Sequence, residues 1–548
     1  MLLSDHLDVL VVESQPTMRA QLRTMLSSIG IESAQYVVSA SAAMKRLREK
    51  RFDLVLCEYN LGDGQDGQQL LEELRAHAIM PPDSLFVMIS SEHDFERITS
   101  ACELQISDYI LKPLNAESLR VRLLRAFDKR DAFVPAWQLA SIGDPLGAIE
   151  YCRIAADEHP QYLADFMRMQ AELRASMGQI DEAESIYREV NTAHRTPWAE
   201  LGIARMLALK KQYAEAEELL TGVVERNAKF IEAYDLLGQV RERIGANADA
   251  CSALRSATLL SPHRLQRLRT LGELYLKDGV ASEASRVFGD VVRKGRHSTF
   301  RNPEDHVRLV QAQLAANQTA EAQETIADLD RSLGRSPKGE LCKNLCTALV
   351  HAHNDDKAAA QAALAAAVRS SSEVRELSAS LRQDVANACF DQDMQTEGCE
   401  VVMDLLRTAE DEQALERANA ILGKRGLTQL AQQLEARMQA EVKSLVSTGA
   451  EKAYAGDYDG AVTEMMNAVR KMPGNPHVLF NASLALLRHI EHRGWNDVFA
   501  AQARNLIQRA HKLSPQNPRL AAITEFMHRL VKQYGIRPDR ALPRLPQL

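Results

Sequence analysis

The stretch Asp53-Leu54-Val55-Leu56-Cys57-Glu58 is an apolar run that ends on a carboxylate, and a glycine-rich turn, GDGQDG at 62–67, follows it. It raises a chemical question: why a glutamate, rather than a shorter aspartate, closes a buried strand. Other stretches also carry reactive side chains. In CKNLCTALVHAH, Cys342 and Cys346 are followed by His351 and His353. Zinc needs four ligands converging tetrahedrally. On one helix the two cysteines share a face, but His353 lies seven residues beyond Cys346, about two turns away. Small buried side chains are the better reading, since free cysteine packs as a small hydrophobe. GDGQDG lacks the GK[ST] of a phosphate-cradling loop and the acidic spacing of a calcium loop, so it reads as a strand-to-helix turn in which Gly67 permits close packing. The basic cluster KGRHSTFR (294–301) reads as a solvated loop, with a partner-binding patch as its alternative. Met465 and Met466 fall at packing positions.

The elements that must position these groups follow from length and pattern. With 548 residues, 45% hydrophobic and 26% charged, the chain is an ordinary folded protein too long for one core. A net charge of -8 argues against a nucleic-acid binder, which would show a basic stripe. Eight scattered cysteines without a CxxC pair imply reduced thiols. No run approaches 18 apolar residues, and Asp5, His6 and Asp8 spoil a signal-peptide reading, so a cytoplasmic protein without membrane contact is expected. From residue 8 to about 128, strands at Asp8–Val12, Ser33–Val37, Leu54–Cys57, Leu85–Ile89 and Tyr109–Leu111 alternate with amphipathic helices. These are Thr17–Ser28, Ala40–Lys50, Gln68–His77, Asp94–Ala101 and Ala116–Asp128. Five such units predict an α/β doubly wound, five-stranded parallel sheet, with its chemistry at the carboxyl ends of the strands.

After residue 133 the strand signal gives way to a repeat. Alanine, a larger apolar residue at +4 and a small or apolar one at +7 recur at Ala148, Ala183, Ala216, Ala250 and Ala284, at intervals of 35, 33, 34 and 34. Tyr234-x2-Leu237-Gly238 and Leu268-x2-Leu271-Gly272 precede two of these anchors, and Trp198-x2-Leu201-Gly202 precedes a third. This pattern resembles the tetratricopeptide repeat (TPR), in which each helix pair hides its apolar face by stacking on the next. Anchors near Ala322, Ala360 and Gly398 come at intervals of 38 and read as divergent hairpins. The anchor pattern itself, with proline at +12, recurs at Ala461 and Ala503. The expected organisation is a first domain at 5–130, TPR-like repeats at 133–300, divergent repeats at 301–440, and C-terminal repeats with a capping helix at 441–534. A disordered tail is expected at 535–548.

The first domain resembles the receiver domain of two-component response regulators (CheY-like). The motifs are VVESQPTMR (11–19), VLCEYNLGDGQDG (55–67), VMISSE (87–92) and DYILKPLN (108–115), all at strand ends and in order. The resemblance implies strand order 2-1-3-4-5, an acidic pair holding Mg2+, an aspartate phosphoacceptor, a serine or threonine, and a lysine before proline. Here Glu13-Ser14 stands at the acidic pair and Glu58 at the phosphoacceptor. Ser90, Lys112 and the switch aromatic Tyr109 are intact, and Asn60 offers its backbone carbonyl to a metal. The loop is also one residue longer than the common pattern. An acyl phosphate needs an aimed carboxylate and a neutralising metal. An extra methylene shifts the carboxylate by roughly 1.5 Å, and a misplacement near 1 Å costs on the order of 100-fold in rate. A serine hydroxyl at 14 brings no charge, leaving Mg2+ weak or absent and no cofactor required. Phosphotransfer is therefore expected to be impaired. Glu58 then either stands in for a phosphoryl group, with Tyr109 turned inward, or simply pairs with Lys112 in an inert site.

The resemblances together imply a non-enzymatic adaptor in bacterial signalling, engaging a sensor kinase or a second response regulator. A short link at Asp128–Pro135 would let the first domain pack on the first repeat. A phosphorylatable switch or phosphate sink, and a scaffold that homodimerises through the face from the fourth strand to the fifth helix, remain as alternatives.

Overall fold

The computed structural model describes residues 7–62, 65–77, 79–91, 106–193, 195–262, 264–296, 298, 301–371, 374, 377–408, 420–423, 428–514 and 517–536. The helix expected at Asp94–Ala101 and nearly all of the expected tail lie outside these residues. Among the described residues no helix is long and apolar enough to cross a membrane.

Five strands, β1 (Val9–Val12), β2 (Ala34–Val37), β3 (Leu54–Glu58), β4 (Leu85–Ser90) and β5 (Asp108–Leu111), form one parallel sheet in the order β2-β1-β3-β4-β5. Every residue of β1, β3 and β4 is buried. Alternate side chains of a strand face opposite ways. Leu10, Val12, Val55, Cys57, Phe86 and Met88 thus meet α2 (Ala40–Glu49) and α3 (Gly67–Ala76). On the other face Val9, Val11, Leu54, Leu56, Val87 and Ile89 meet α1 (Pro16–Ser28) and α4 (Ala116–Ser141). A sheet covered on both faces explains the unbroken apolar runs.

One boundary differs from expectation. Instead of a short link at Asp128–Pro135, α4 continues unbroken to Ser141 with Pro135 inside it. Proline removes only one helical N–H, while burial of Phe127, Ala132, Phe133 and Ala136 holds the helix on both sides of it. The Tyr162 hydroxyl donates to Asp128 (2.7 Å) from beyond the next helix.

The chain gathers into two compact units, Met1–Trp137 with Ala155–Ala164 and Tyr187–Asp305, and Gln138–Ile154 with Asp165–Ile186 and His306–Leu548. Beyond α4 every described element is helical, a long all-α array of hairpins. The anchors Ala148, Ala183, Ala216, Ala250, Ala284, Ala322 and Ala360 are fully buried. Five residues before each stands a residue with positive φ: Gly143, Gly178, Lys211, Gly245, Gly279, Asn317 and Asp355. Asp393, five before Gly398, and Gly456, five before Ala461, continue the series. A left-handed residue at the helix C-terminus reverses the chain, so the irregular middle stretch uses the same turn as the regular one. An added Cβ on Gly238 would lie 2.8 Å from Leu254, and one on Gly272 2.7 Å from Phe288; each partner is the +4 residue of the same hairpin. Gly202 departs from this, lying against Tyr187 of the preceding hairpin. Arg519–Gln533 forms the last described helix.

Candidate functional site

The sheet register places Glu58 and Ser90 at the carboxyl ends of adjacent strands, with Glu58 beyond the last residue of β1. Glu13 follows β1 directly, fixed by its N–H donating to Val37 O at 3.0 Å. Lys112 follows β5, and its N–H donates to Ser90 O at 2.8 Å. Four chain segments that are remote in sequence therefore open on one rim.

Around that rim the Lys112 ammonium is shared by two carboxylates. It donates to Glu13 Oε2 at 3.0 Å and makes a close ion pair with Glu58 Oε2. The other oxygens are held by the backbone: Gln15 N–H donates to Glu13 Oε1 (2.9 Å) and Asn60 N–H to Glu58 Oε1 (3.0 Å). Glu13 and Glu58 are buried, and the Lys112 side chain is only 17% exposed. Burial would depress the lysine, but its bonds to Glu58 and Glu13 outweigh that and hold its pKa above the ordinary value. For Glu58, burial wins and pushes the carboxyl up despite Lys112 and the Asn60 N–H. The asymmetry has a simple cause, since one ammonium faces two acids.

The remaining expected residues take subordinate places. Ser14 is half-buried, and its carbonyl and that of Glu13 accept hydrogen bonds from Arg19 Nη1 at 2.7 and 2.8 Å. Asn60 is exposed, with its side-chain oxygen accepting from Gly62 N–H at 3.1 Å. Ser90 is fully buried at the end of β4. Tyr109 is half-buried and packs against the core beneath α2 and α3. At the loop, Asp66 and Gln69 close a capping box on α3, and a Cβ on Gly67 would stand 2.4 Å from Glu58 O. Residues 63 and 64 of the turn lie outside the described residues. In the array, Cys342 and Cys346 are fully buried within one core cluster, and no group of three or more His, Cys, Asp or Glu among the described residues is placed to hold a metal.

Several functional neighbours escaped sequence reasoning. Arg19 is one. Tyr59 is another: its carbonyl accepts from Gly67 N–H at 2.8 Å, and its buried hydroxyl donates to Gln68 Oε1 at 3.0 Å. The third is the outer side of α3, which meets the helices around Arg264–Ser298. There the stretch expected to be a solvated loop is partly covered: Ser298 hydrogen-bonds to Glu73, and Lys294 donates to Pro262 O. The physical reason is a hydrogen bond between Ser298 and a residue of α3, 225 positions away, which no local pattern in 294–301 announces.

Comparison with known proteins agrees with this geometry. The response regulator receiver domain family matches residues 9–124. Chemotaxis protein CheY-3 of Vibrio cholerae is 27% identical over 128 residues, covering 23% of this chain and 97% of that protein. Transcriptional regulatory protein ZraR of Escherichia coli O157:H7 is 28% identical over 142 residues, covering 25% of this chain but 31% of ZraR. The receiver domain of NtrX from Brucella abortus is 29% identical, covers 22% of this chain and 98% of that one, and superposes with a TM-score of 0.21. Residues 9–124 are therefore a response regulator receiver domain.

Proposed function

We propose that this protein is a non-catalytic regulatory adaptor in two-component signalling. Its receiver pocket is held by a permanent charge rather than by phosphoryl turnover, and its TPR-like helical array binds partner proteins. The observation that carries this reading is the Lys112 ammonium locked between Glu58 and Glu13. A lysine so engaged has its charge committed before any phosphoryl group arrives. Each carboxylate oxygen of the pair already accepts a hydrogen bond, and Ser14 adds no third acid. Magnesium favours carboxylates in near-octahedral array, so this donor set supports at most weak Mg2+ binding. Glu13, Glu58 and the Asn60 carbonyl would be the residues that meet the ion. ZraR is a transcriptional regulatory protein, yet the match covers only 31% of it, so its output is not carried over to the helical array.

Acetyl phosphate with Mg2+ and intact-mass measurement on the full chain tests the pocket. The expected result is no species heavier by one phosphate, and ready conversion would replace this reading with a phosphorylatable switch, for which the retained Ser90 and Lys112 speak. Affinity capture with the full chain as bait tests the array, and enrichment of a sensor kinase or response regulator is expected.

A further inference from the structure

The outer side of α3 carries two adjacent acids, Glu72 toward the start of the helix Leu265–Lys277 and Glu73 toward Ser298. Glu72 lies close to the start of that helix: burial pushes its carboxyl pKa up, against the charges of Arg264 and Arg269 and the Gln266 and Leu265 backbone N–H groups. Arg264, at the N-cap of that helix, supplies no side-chain cap of its own. Glu72 therefore brings a negative charge from another element to a helix start, where the favourable end of the helix dipole faces it. Glu73 is buried beside it, accepting from Gln65 Nε2 at 2.5 Å and bonding to Ser298.

The inner end of the same helix is tied to the pocket. Tyr59 directly follows Glu58, and two hydrogen bonds fasten it to the first turn of α3, one to Gly67 N–H and one to Gln68. Gln68 and Glu72 are four residues apart, roughly 6 Å along a rigid helix and on one side of it. Gly67 leaves no slack at this joint, since even a methyl group there would overlap Glu58 O. The backbone at Glu58 and Tyr59 and the first residue of α3 are therefore in close contact.

We propose that α3 is a lever carrying the state of the Glu58 pocket to the helical array. Tyr59 and Gln68 form its pocket-side joint, and its far side is the Glu73–Ser298 bond with the Glu72 charge beside it at the start of Leu265–Lys277. The lever rests on the adaptor reading and gives it a route. Tyr59 is a positioning residue in this scheme, acting through Gln68.

Hydrogen exchange of the Leu265 and Gln266 amides in the full chain tests it. Glu72→Ala should speed their exchange by about tenfold, the loss of a partly buried charge at the helix start, while amides of Pro476–Arg493 keep their rates. Glu58→Gln, which removes the pocket charge without changing shape, should shift the same two amides by about threefold. Adding Tyr59→Phe, which deletes only the hydroxyl, should cut that response to less than about half. Rates at 265 and 266 that ignore Glu58→Gln, with β1 and β3 still protected, overturn the lever and reduce α3 to a brace. A response undiminished by Tyr59→Phe overturns the joint. No partner enters the measurement, so a failed capture experiment and a failed lever are separate results.

Discussion

The receiver pocket and the helical array solve opposite problems with the same twenty side chains. In the pocket, three charges are buried within one hydrogen-bond reach and every oxygen is assigned. In the array, many charges sit in exposed i,i+3 pairs such as Arg153–Glu150 and Arg286–Glu283, while the anchor positions are alanines with no exposure. Exposed pairs contribute little, whereas a broken buried pair leaves an uncompensated charge. Identity therefore governs the first region and size governs the second.

The largest test of that contrast is Lys112→Met. It strands two carboxylates in a buried rim, and the receiver should lose about 3–5 kcal/mol, measured as the opening free energy of β1 and β3 amides by hydrogen exchange. Combining it with Glu58→Gln should restore only about half of the loss, because Glu13 stays buried without its ammonium. The pH response has a defined sign. Lys112 titrates above its ordinary 10.5 in the folded state. Its contribution is whole below that pH and is lost as pH climbs through the higher folded value. Lys112→Met should flatten stability over that alkaline window. Glu58 works in the reverse sense to most acids: raised above 4.5 by burial, its contribution is full below 4.5 and declines as pH rises through the folded value.

The next test separates backbone from side-chain neighbours. At Gly67 an added methyl would meet the Glu58 carbonyl at 2.4 Å and the Cys57 sulfur at 3.0 Å, with nothing able to yield. Gly67→Ala should cost the receiver about 1–3 kcal/mol by overpacking and disturb the pocket through Glu58. A loss confined to stability, with the Glu58–Lys112 pairing unchanged by NMR, would show that the turn and the pocket are independent.

These two regions also differ in how plainly they speak in sequence. The parallel sheet was legible because buried strands read as unbroken apolar runs, its order through the resemblance to a receiver, and the rim because four motifs end those strands in order. The hairpin intervals were legible because small residues recur at buried anchors. What stayed hidden acts at long range or against local propensity. Glu73 meets Ser298 across 225 positions, with no periodicity to announce it. Nothing in the segment of Tyr59 shows that its hydroxyl reaches Gln68. Pro135 marked a break by propensity, but burial of Phe133 and Ala136 carried the helix past it.

The smallest effects lie inside the array, where size governs. An added methyl at Gly238 would press on the branch carbon Cγ of buried Leu254 at 2.8 Å and on its Cδ2 at 3.0 Å, side-chain atoms rather than backbone. Gly238→Ala should therefore cost about 1 kcal/mol, at the low end of overpacking. Gly289, in the helix Ala281–Gly295, has nothing within 4 Å of where a methyl would go. There the backbone entropy of glycine is the only term left, so Gly289→Ala should stabilise its helix by about 0.5–1 kcal/mol, read as slower exchange of the Val287–Val291 amides. Opposite signs at two glycines of one array would establish that contact with a neighbour, rather than residue type, sets the outcome. Equal signs would mean that the small residues of the repeat serve helix propensity more than nesting.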